Sequence, residues 1–402
     1  MISSYLERAL QYLGDDALTE QAVHLHIAPL FSQVLSRDEI YLANHSLGRP
    51  LDQAMHDVAE GLSLWQHRMD DAWDAWLTEQ QHYRARIAAL IGAPRADCVV
   101  PKTSAGQGLR AVLNSYREPI RVVTTRGEFD SIDFILKQYQ AMGRIALHYV
   151  EPNAAGDYDI EALIAAITPG TDLVVVSQVM FATAQILANL EHLIRHGHDV
   201  GARVLVDVYH AVGVIPVDVG HLACDFAIGG SYKYLRGGPG ACWLYVSPHS
   251  ISQGLITLDT GWFAKAEPFA YARPDPLRFG AGGDAWLEST PPVLTYYQSR
   301  SGQEFLAAIG VERLRAYSLG QLQWLKQALA AHGIAAQGAD HRHGAFLCVH
   351  HPKAPEIARG LKVLGINIDA RGERLRLCPD LLNTNAELAT AADKLAGLLQ
   401  GA

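Results

Sequence analysis

Cysteine is scarce. The 402 residues hold five (Cys98, Cys224, Cys242, Cys348 and Cys378), scattered and without a C-x-x-C pair. That excludes a disulfide scaffold and a cysteine-ligated zinc site, and it fits a reducing, cytoplasmic compartment. Histidine is plentiful, but His24/His26, His196/His198 and His341/His343 lack a matching carboxylate or cysteine pattern, so no metal site is expected. No apolar run approaches the ~20 residues of a membrane span. The opening MISSYLERALQYLGDD has neither a basic segment nor an apolar one, so no secretory signal is expected. Basic charge is also short: 33 Lys and Arg against 42 Asp and Glu leave a net charge of −9. A broad nucleic-acid surface is thereby excluded, while a local basic pocket for a phosphate is not. What is present is apolar: 49% hydrophobic residues supply a large core, and 19% charged residues argue against disorder. The length suits a two-domain enzyme subunit, and the sequence shows no internal repeat or long linker.

The chain is organised around residues 204–246, VLVDVYHAVGVIPVDVGHLACDFAIGGSYKYLRGGPGACWLYV. An apolar run leads into Asp207. A second, Asp225 to Gly230, leads into Ser231-Tyr232-Lys233-Tyr234. A third, Ala241 to Val246, follows a Gly-Gly-Pro-Gly turn. Short apolar runs ended by polar residues and glycine read as buried strands whose ends carry function. The chemistry suggested is that of pyridoxal 5'-phosphate. This cofactor needs a lysine amine for its Schiff base and a carboxylate facing the pyridine nitrogen. Lys233 and Asp207 fit those roles, and His210 lies where it could cover the cofactor. Taken singly, such a lysine also reads as a surface residue and such an aspartate as a helix cap. The combination D-x-x-H-A…S-Y-K-Y-L-x-G-G-P-G is far more specific.

On those residues the sequence resembles the fold-type I pyridoxal-phosphate enzymes of the class V aminotransferase group. Within it, SYKYLRGGPGACWLYV is most similar to kynureninases. The resemblance is dense from Thr103 to Pro292 and thin at the N-terminus. It implies an α/β fold: a large domain with a mostly parallel seven-stranded sheet between helices, plus a smaller α/β C-terminal domain. The boundaries expected are 1–50 for an N-terminal arm and helix packing with the small domain, 51–295 for the cofactor domain, and 296–402 for the small domain.

Other segments follow the same resemblance. Thr103 and Ser104, between a short strand and a helix, form a candidate phosphate cup, although an ordinary N-cap reads the same way. Phe129 resembles the aromatic that stacks on the cofactor ring. Where kynureninases carry an aspartate three residues later, this chain has Ile132, with Asp130 and Asp133 nearby. The segment Gln178-Val179-Met180-Phe181-Ala182-Thr183-Ala184 stands where the family has H-V-N-Y-x-T-G, and Gln178 is a candidate contact for the cofactor's phenolic side. Asn44, His45 and Ser46, in an N-x-L-G-like turn, resemble a substrate-positioning loop, here with His45 as a departure. His67 is a further candidate at the substrate channel. Trp65, Trp73 and Trp76 read as core or interface. Trp262, after Gly261, and Thr290, before Pro291-Pro292, resemble residues that reach the neighbouring subunit's site, which implies a homodimer with shared sites. Arg376, in an R-x-x-P context, resembles the arginine that grips the substrate α-carboxylate, with Arg374 beside it on one strand face. Tyr232 resembles the tyrosine at the phosphate and also reads as a proton relay.

The resemblance implies hydrolysis of kynurenine or 3-hydroxykynurenine to an anthranilate and alanine. Two other readings stay open. One is another class V reaction on a different amino acid: desulfurase or C–S lyase, epimerase, or aminotransferase. A desulfurase needs a cysteine nucleophile on a mobile loop, and Cys348 and Cys378 sit in or beside strand-like runs. The other is a non-catalytic pyridoxal-phosphate-binding protein. The partner expected is a small-molecule amino-acid substrate, with no nucleic acid and no membrane.

Overall fold

The sheet follows from strand alternation. A computed structural model describes residues 4–400; residues 1–3 of the expected arm and 401–402 of the expected small domain lie outside the described residues. The strands are β1 (Ile40–Tyr41), β2 (Val99–Lys102), β3 (Ile120–Thr125), β4 (Ile145–Val150), β5 (Leu173–Ser177), β6 (Arg203–Asp207), β7 (Phe226–Gly230), β8 (Cys242–Val246), β9 (Leu347–His350), β10 (Ile366–Asn367), β11 (Asp369–Arg371) and β12 (Arg374–Leu377). The longer helices are α1 (Ser4–Leu13), α2 (Gln53–Arg68), α3 (Ala72–Leu90), α4 (Ala105–Leu113), α5 (Asp130–Ala141), α6 (Ile160–Ala166), α7 (Leu190–Asp199), α8 (Leu294–Ile309), α9 (Val311–Ala331), α10 (Ala354–Val363) and α11 (Asn385–Gln400).

Seven strands form one sheet in the order β2-β8-β7-β6-β5-β3-β4. The pairs β7-β6, β6-β5, β5-β3 and β3-β4 are parallel, and β8 runs against both β2 and β7. The mostly parallel seven-stranded sheet expected from the sequence is therefore present. Both faces are covered, as a parallel sheet requires. Val174, Val176, Val204, Val206, Ala227, Trp243 and Tyr245 point into one hydrophobic cluster. Their neighbours Leu173, Val175, Leu205, Phe226, Ile228, Leu244 and Val246 point into a second on the opposite face. The period-two pleat thus turns continuous apolar runs into two cores. Each fully buried Val, Leu or Phe stabilises by roughly 1.5–3 kcal/mol.

A third cluster lies in the C-terminal part. There Leu347, Val349, Leu375 and Leu377 pack with Leu322 and Leu325 of α9 and Leu388 and Leu395 of α11. Its sheet is β11-β12-β9, antiparallel throughout. β1 joins β10 in parallel, tying the N-terminal segment to this region. No helix among the described residues is long and apolar enough to cross a membrane.

Candidate active site

Three parallel strands end side by side at Ser177, Asp207 and Gly230. The carboxyl ends of such strands open onto a crevice, since helices cover the faces but not the ends. Here the crevice is a cavity of about 560 Å³ whose wall includes Thr103, Ser104, Phe129, Asp207, His210, Tyr232 and Lys233. Seven expected site residues, from four separate stretches of sequence, therefore converge.

Lys233 Nζ lies 2.6 Å from His210 Nε2. It also faces the rings of Tyr209, Phe129 and Tyr232 at 5.1, 5.4 and 5.7 Å. Burial pulls the ammonium down from its ordinary value, against the attraction of Asp207. Burial pushes the Asp207 carboxyl up, although its Oδ1 accepts the Tyr209 N–H at 2.8 Å. His210 is driven well below its usual range by burial and by the Lys233 charge, so it is a neutral imidazole. Its Nδ1 is buried and finds no partner among the described residues.

At the other end of the cavity lies the N-terminus of α4. Ser104 caps it, its Oγ accepting the Gln107 N–H at 3.1 Å. Thr103 donates both its N–H (2.7 Å) and its hydroxyl (3.0 Å) to Gln107 Oε1. The N-cap reading therefore holds for Ser104, and the same loop lines the cavity. The Gln107 side chain donates in turn to Glu288, which pairs with the buried Lys102 at 2.5 Å. Arg110, one α4 turn further on, also lines the cavity and brings positive charge.

Gly48 sets the position of Lys233. Its N–H donates to the Tyr232 carbonyl at 2.8 Å. A Cβ built there would stand 1.9 Å from the Lys233 carbonyl oxygen. Gly48→Ala is expected to destabilise the fold by about 1–3 kcal/mol and to displace Lys233, with a loss of turnover approaching a hundredfold. Thermal unfolding and an activity assay of the variant check both. The same lysine loop is anchored by Arg236, which donates to Asp380 at 2.5 and 2.8 Å; Arg49 also reaches Asp380 at 3.1 Å. These two arginines hold the Asp380 carboxyl well below the usual carboxylate range although it is fully buried.

The expected substrate residues sit behind the wall. Arg376 is 2% exposed and donates to the Asp369 carboxylate and to the Phe181 carbonyl. Ser46 Oγ donates to the same carboxylate at 2.8 Å, and His45 Nε2 lies 3.4 Å from it. Burial pushes His45 down to about 3. His45, Ser46 and Arg376 thus meet around Asp369 rather than on the cavity wall, and Phe181 stands between Arg376 and the cavity. Asn44 lines a separate small cavity with Tyr234 and Arg236. Asp369 and Arg376 are cross-strand partners in the β11-β12 hairpin.

Other expectations are revised or sharpened. Gln178 does not line the cavity; the flanking Ser177 and Val179 do, because alternation turns residue 178 away. Asp133 is committed to Lys137 (2.5 Å) and to the Tyr149 hydroxyl (3.1 Å), whereas Asp130 lines the cavity. Ile132 is fully buried in the core. His67 is exposed and contacts Ser63 on its own helix. Trp262 and Thr290 do not line the cavity. Trp262 Nε1 donates to Thr290 Oγ1 at 3.1 Å, within an aromatic ledge that includes Trp73, Phe263, Phe269 and Tyr271. The sequence reading missed Ser177, Tyr209, Phe181, Gln107 and Glu128. Their only signal was proximity to strand ends and to Phe129.

The fit to pyridoxal phosphate can be judged on these atoms. The cavity offers a buried amine, a carboxylate floor, an aromatic wall at Phe129, a neutral imidazole and a helix N-terminus with an arginine. Each answers one part of a flat, phosphorylated, nitrogen-bearing ring.

Comparison with known proteins agrees. The aminotransferase class-V family matches residues 54–375. A kynureninase of Bacillus anthracis is 26% identical over 374 residues, covering 87% of this chain and 86% of the relative. A kynureninase of Xanthomonas campestris pv. campestris strain B100 is 30% identical over 313 residues, 73% of each chain. Among solved structures, the cysteine desulfurase of Thermococcus onnurineus NA1 superposes with a TM-score of 0.80 at 18% identity, covering 92% of this chain and 96% of that one.

Proposed function

The chain belongs to the aminotransferase class-V family as a kynureninase-like member with the fold-type I architecture, and from that premise we propose that it hydrolyses the Cβ–Cγ bond of kynurenine or 3-hydroxykynurenine. The cofactor is pyridoxal 5'-phosphate. When bound, it withdraws electrons from the substrate's Cα through a protonated ring nitrogen. The observation that carries the reading is the buried Lys233 amine beside His210 and Asp207, in a chain most of whose length resembles kynureninases.

The protein's own groups would divide the work. Asp207 holds the proton on the ring nitrogen. Phe129 covers one face of the ring, and neutral His210 offers a polar edge without adding charge. Lys233, its ammonium pulled down by burial, would hold the cofactor and would take and return the proton at the substrate's Cα. Thr103, Ser104 and Arg110 hold the phosphate, with Tyr232 at the wall beside Lys233. Arg376 binds the substrate α-carboxylate by exchanging Asp369 for it. Water supplies OH to the γ-carbonyl carbon, yielding the aromatic carboxylic acid, and hydrogen to Cβ, yielding alanine. Asp130 is the carboxylate in reach of the substrate's far end.

We also propose that two copies assemble so that Trp262 and Thr290 complete the neighbour's site, which would cover the aromatic ledge. Five free, buried cysteines favour a cytoplasmic location. A desulfurase reading is disfavoured by the thiols. Cys348 is buried in β9 and Cys378 directly after β12, with burial pushing both up to about 12. Cys242 lines the cavity, but it is held 2.9 Å from the Tyr209 hydroxyl and raised to about 11.

The test is anthranilate fluorescence after mixing cofactor-loaded protein with kynurenine or 3-hydroxykynurenine. Release of the anthranilate with stoichiometric alanine is expected. A cofactor band that shifts with another amino acid, but no anthranilate, would reject the substrate and leave the family assignment standing.

A further inference from the structure

Two carboxyls flank Ser177, one on the cavity wall and one behind it. One is Asp207. The other is Glu128, three residues beyond the end of β3 and 3% exposed. Ser177 stands between them: it ends β5, pairs with Asp207 across the sheet and lines the cavity. A buried carboxylate ordinarily meets a cation. Glu128 instead meets two hydroxyls and an amide: Thr125 Oγ1 at 2.7 Å and Ser177 N at 3.3 Å on Oε1, and Ser177 Oγ at 2.6 Å on Oε2.

The distribution of these contacts is informative. Oε1 receives two donors, as a carbonyl oxygen does. Oε2 has one partner among the described residues, a hydroxyl at short range, as an acid O–H does. The titratable groups facing Glu128 are Asp207 from β6 and Tyr158 from the connection into α6. Burial first, and Glu128 second, push the Tyr158 phenol up to about 12. Neither neighbour is a cation. Burial, with Asp207 adding to it, raises the Glu128 carboxyl to about 7. Of the two carboxyls, Asp207 is drawn toward its ionised form by the Lys233 charge and by the Tyr209 N–H it accepts, which leaves the proton to Glu128.

Ser177 Oγ owns a single hydrogen. Facing a carboxylate, it would spend that hydrogen on Oε2 and show only lone pairs to the cavity. Facing the acid, it accepts from Oε2, and its own hydrogen is free. We propose that Glu128 is a positioning residue that works as a neutral acid: by donating to Ser177 Oγ it turns the Ser177 hydroxyl into a hydrogen-bond donor at the cavity floor, aimed at an acceptor oxygen of the bound ring. The ligand half of this rests on pyridoxal phosphate as the occupant; the protonation half does not.

The experiment has two readouts. In cofactor-free protein labelled with [13C]glutamate, infrared difference spectra between pH 6 and pH 8.5 should show a protonated glutamic C=O band lost as pH rises. The band should be absent in Glu128→Gln and shifted in Ser177→Ala. The second readout is pyridoxal-phosphate affinity of the same proteins across that range. Glutamine copies the acid, accepting at Oε1 and donating at Nε2, so Glu128→Gln should stay within about twofold of the parent at pH 6.5. Ser177→Ala should bind about tenfold more weakly, the size of one hydrogen bond to a charged acceptor. As pH rises the parent should weaken relative to Glu128→Gln; titration of Lys233 is common to both and cancels. Absence of the glutamic band at pH 6 would overturn the proposal, as would parent and Glu128→Gln weakening in parallel, or Ser177→Ala binding like the parent. Failure of pyridoxal phosphate to bind at all would remove the cofactor reading, with the infrared band still deciding the state of Glu128.

Discussion

Lys233→Ala should abolish covalent retention of the cofactor and lower turnover by at least about a thousandfold, the range of a lost proton-transfer group. Borohydride reduction of the loaded parent should fix the cofactor to the peptide carrying Lys233, and the same treatment of the variant should fix none. The fold should survive, because Lys233 projects into an existing cavity and its ammonium is already disfavoured by burial. Pyridoxal phosphate should still bind non-covalently, since Asp207, Phe129 and the α4 N-terminus remain. A small primary amine added to the variant should restore part of the activity by supplying the missing base. A variant that keeps a tenth or more of parental turnover would mean that Lys233 is not the Cα proton carrier. Retention of borohydride-fixed cofactor would move the attachment to another lysine.

The residues of this centre were legible because their signals are local. Apolar runs ending in Asp207 and in Tyr232-Lys233 are strands followed by functional loops, and the parallel strands bring those ends together. The Arg376 environment is not local. It depends on a two-residue turn at Gly372-Glu373, with Gly372 at φ +54°, which sets Asp369 opposite Arg376. D-A-R-G-E-R-L-R carries that hairpin, but an arginine taken alone reads as free to bind substrate. The register shows its charge already answered by Asp369, with Ser46 and His45 on the same carboxylate. The proposed capture of substrate at Arg376 would therefore require an exchange of partners.

Ala184 is a second instance. It stands where the family pattern has glycine, and its φ is +62°. The backbone there adopts a left-handed conformation that suits glycine although the residue is alanine. The position is buried and tied by hydrogen bonds from Ala184 N–H to Met180 and from Gly344 N–H to Ala184, which hold the left-handed turn against its steric cost. Glu128 was invisible for a different reason. A glutamate before an aromatic reads as surface, and only the fold buries it beneath Ser177.

Asp207→Asn should separate stability from function. Asparagine is nearly isosteric, and its Oδ1 can still accept the Tyr209 N–H, so the loop geometry should persist. It cannot hold a positive charge on a ring nitrogen. Turnover is expected to fall by about 10²–10⁴-fold, the size of a lost charge–charge stabilisation in a site that excludes water, with a changed visible band of the bound cofactor. Stability should move the other way. In the cofactor-free chain, burial raises the Asp207 carboxyl above its unfolded value of about 3.9. The folded state therefore binds more protons than the unfolded one between that value and the raised one. Stability falls as pH climbs through this window, and the full penalty is present above it. Asparagine removes the penalty, so cofactor-free Asp207→Asn should unfold at the same or a higher temperature than the parent at pH 8, with the difference vanishing near pH 4. On this reading Asp207 costs the empty fold stability and would be compensated by the cation it meets when the cofactor is bound. Thermal unfolding of both cofactor-free proteins at the two pH values, beside turnover of the loaded proteins, measures each half. A variant that is less stable at pH 8 with activity intact would reverse the assignment.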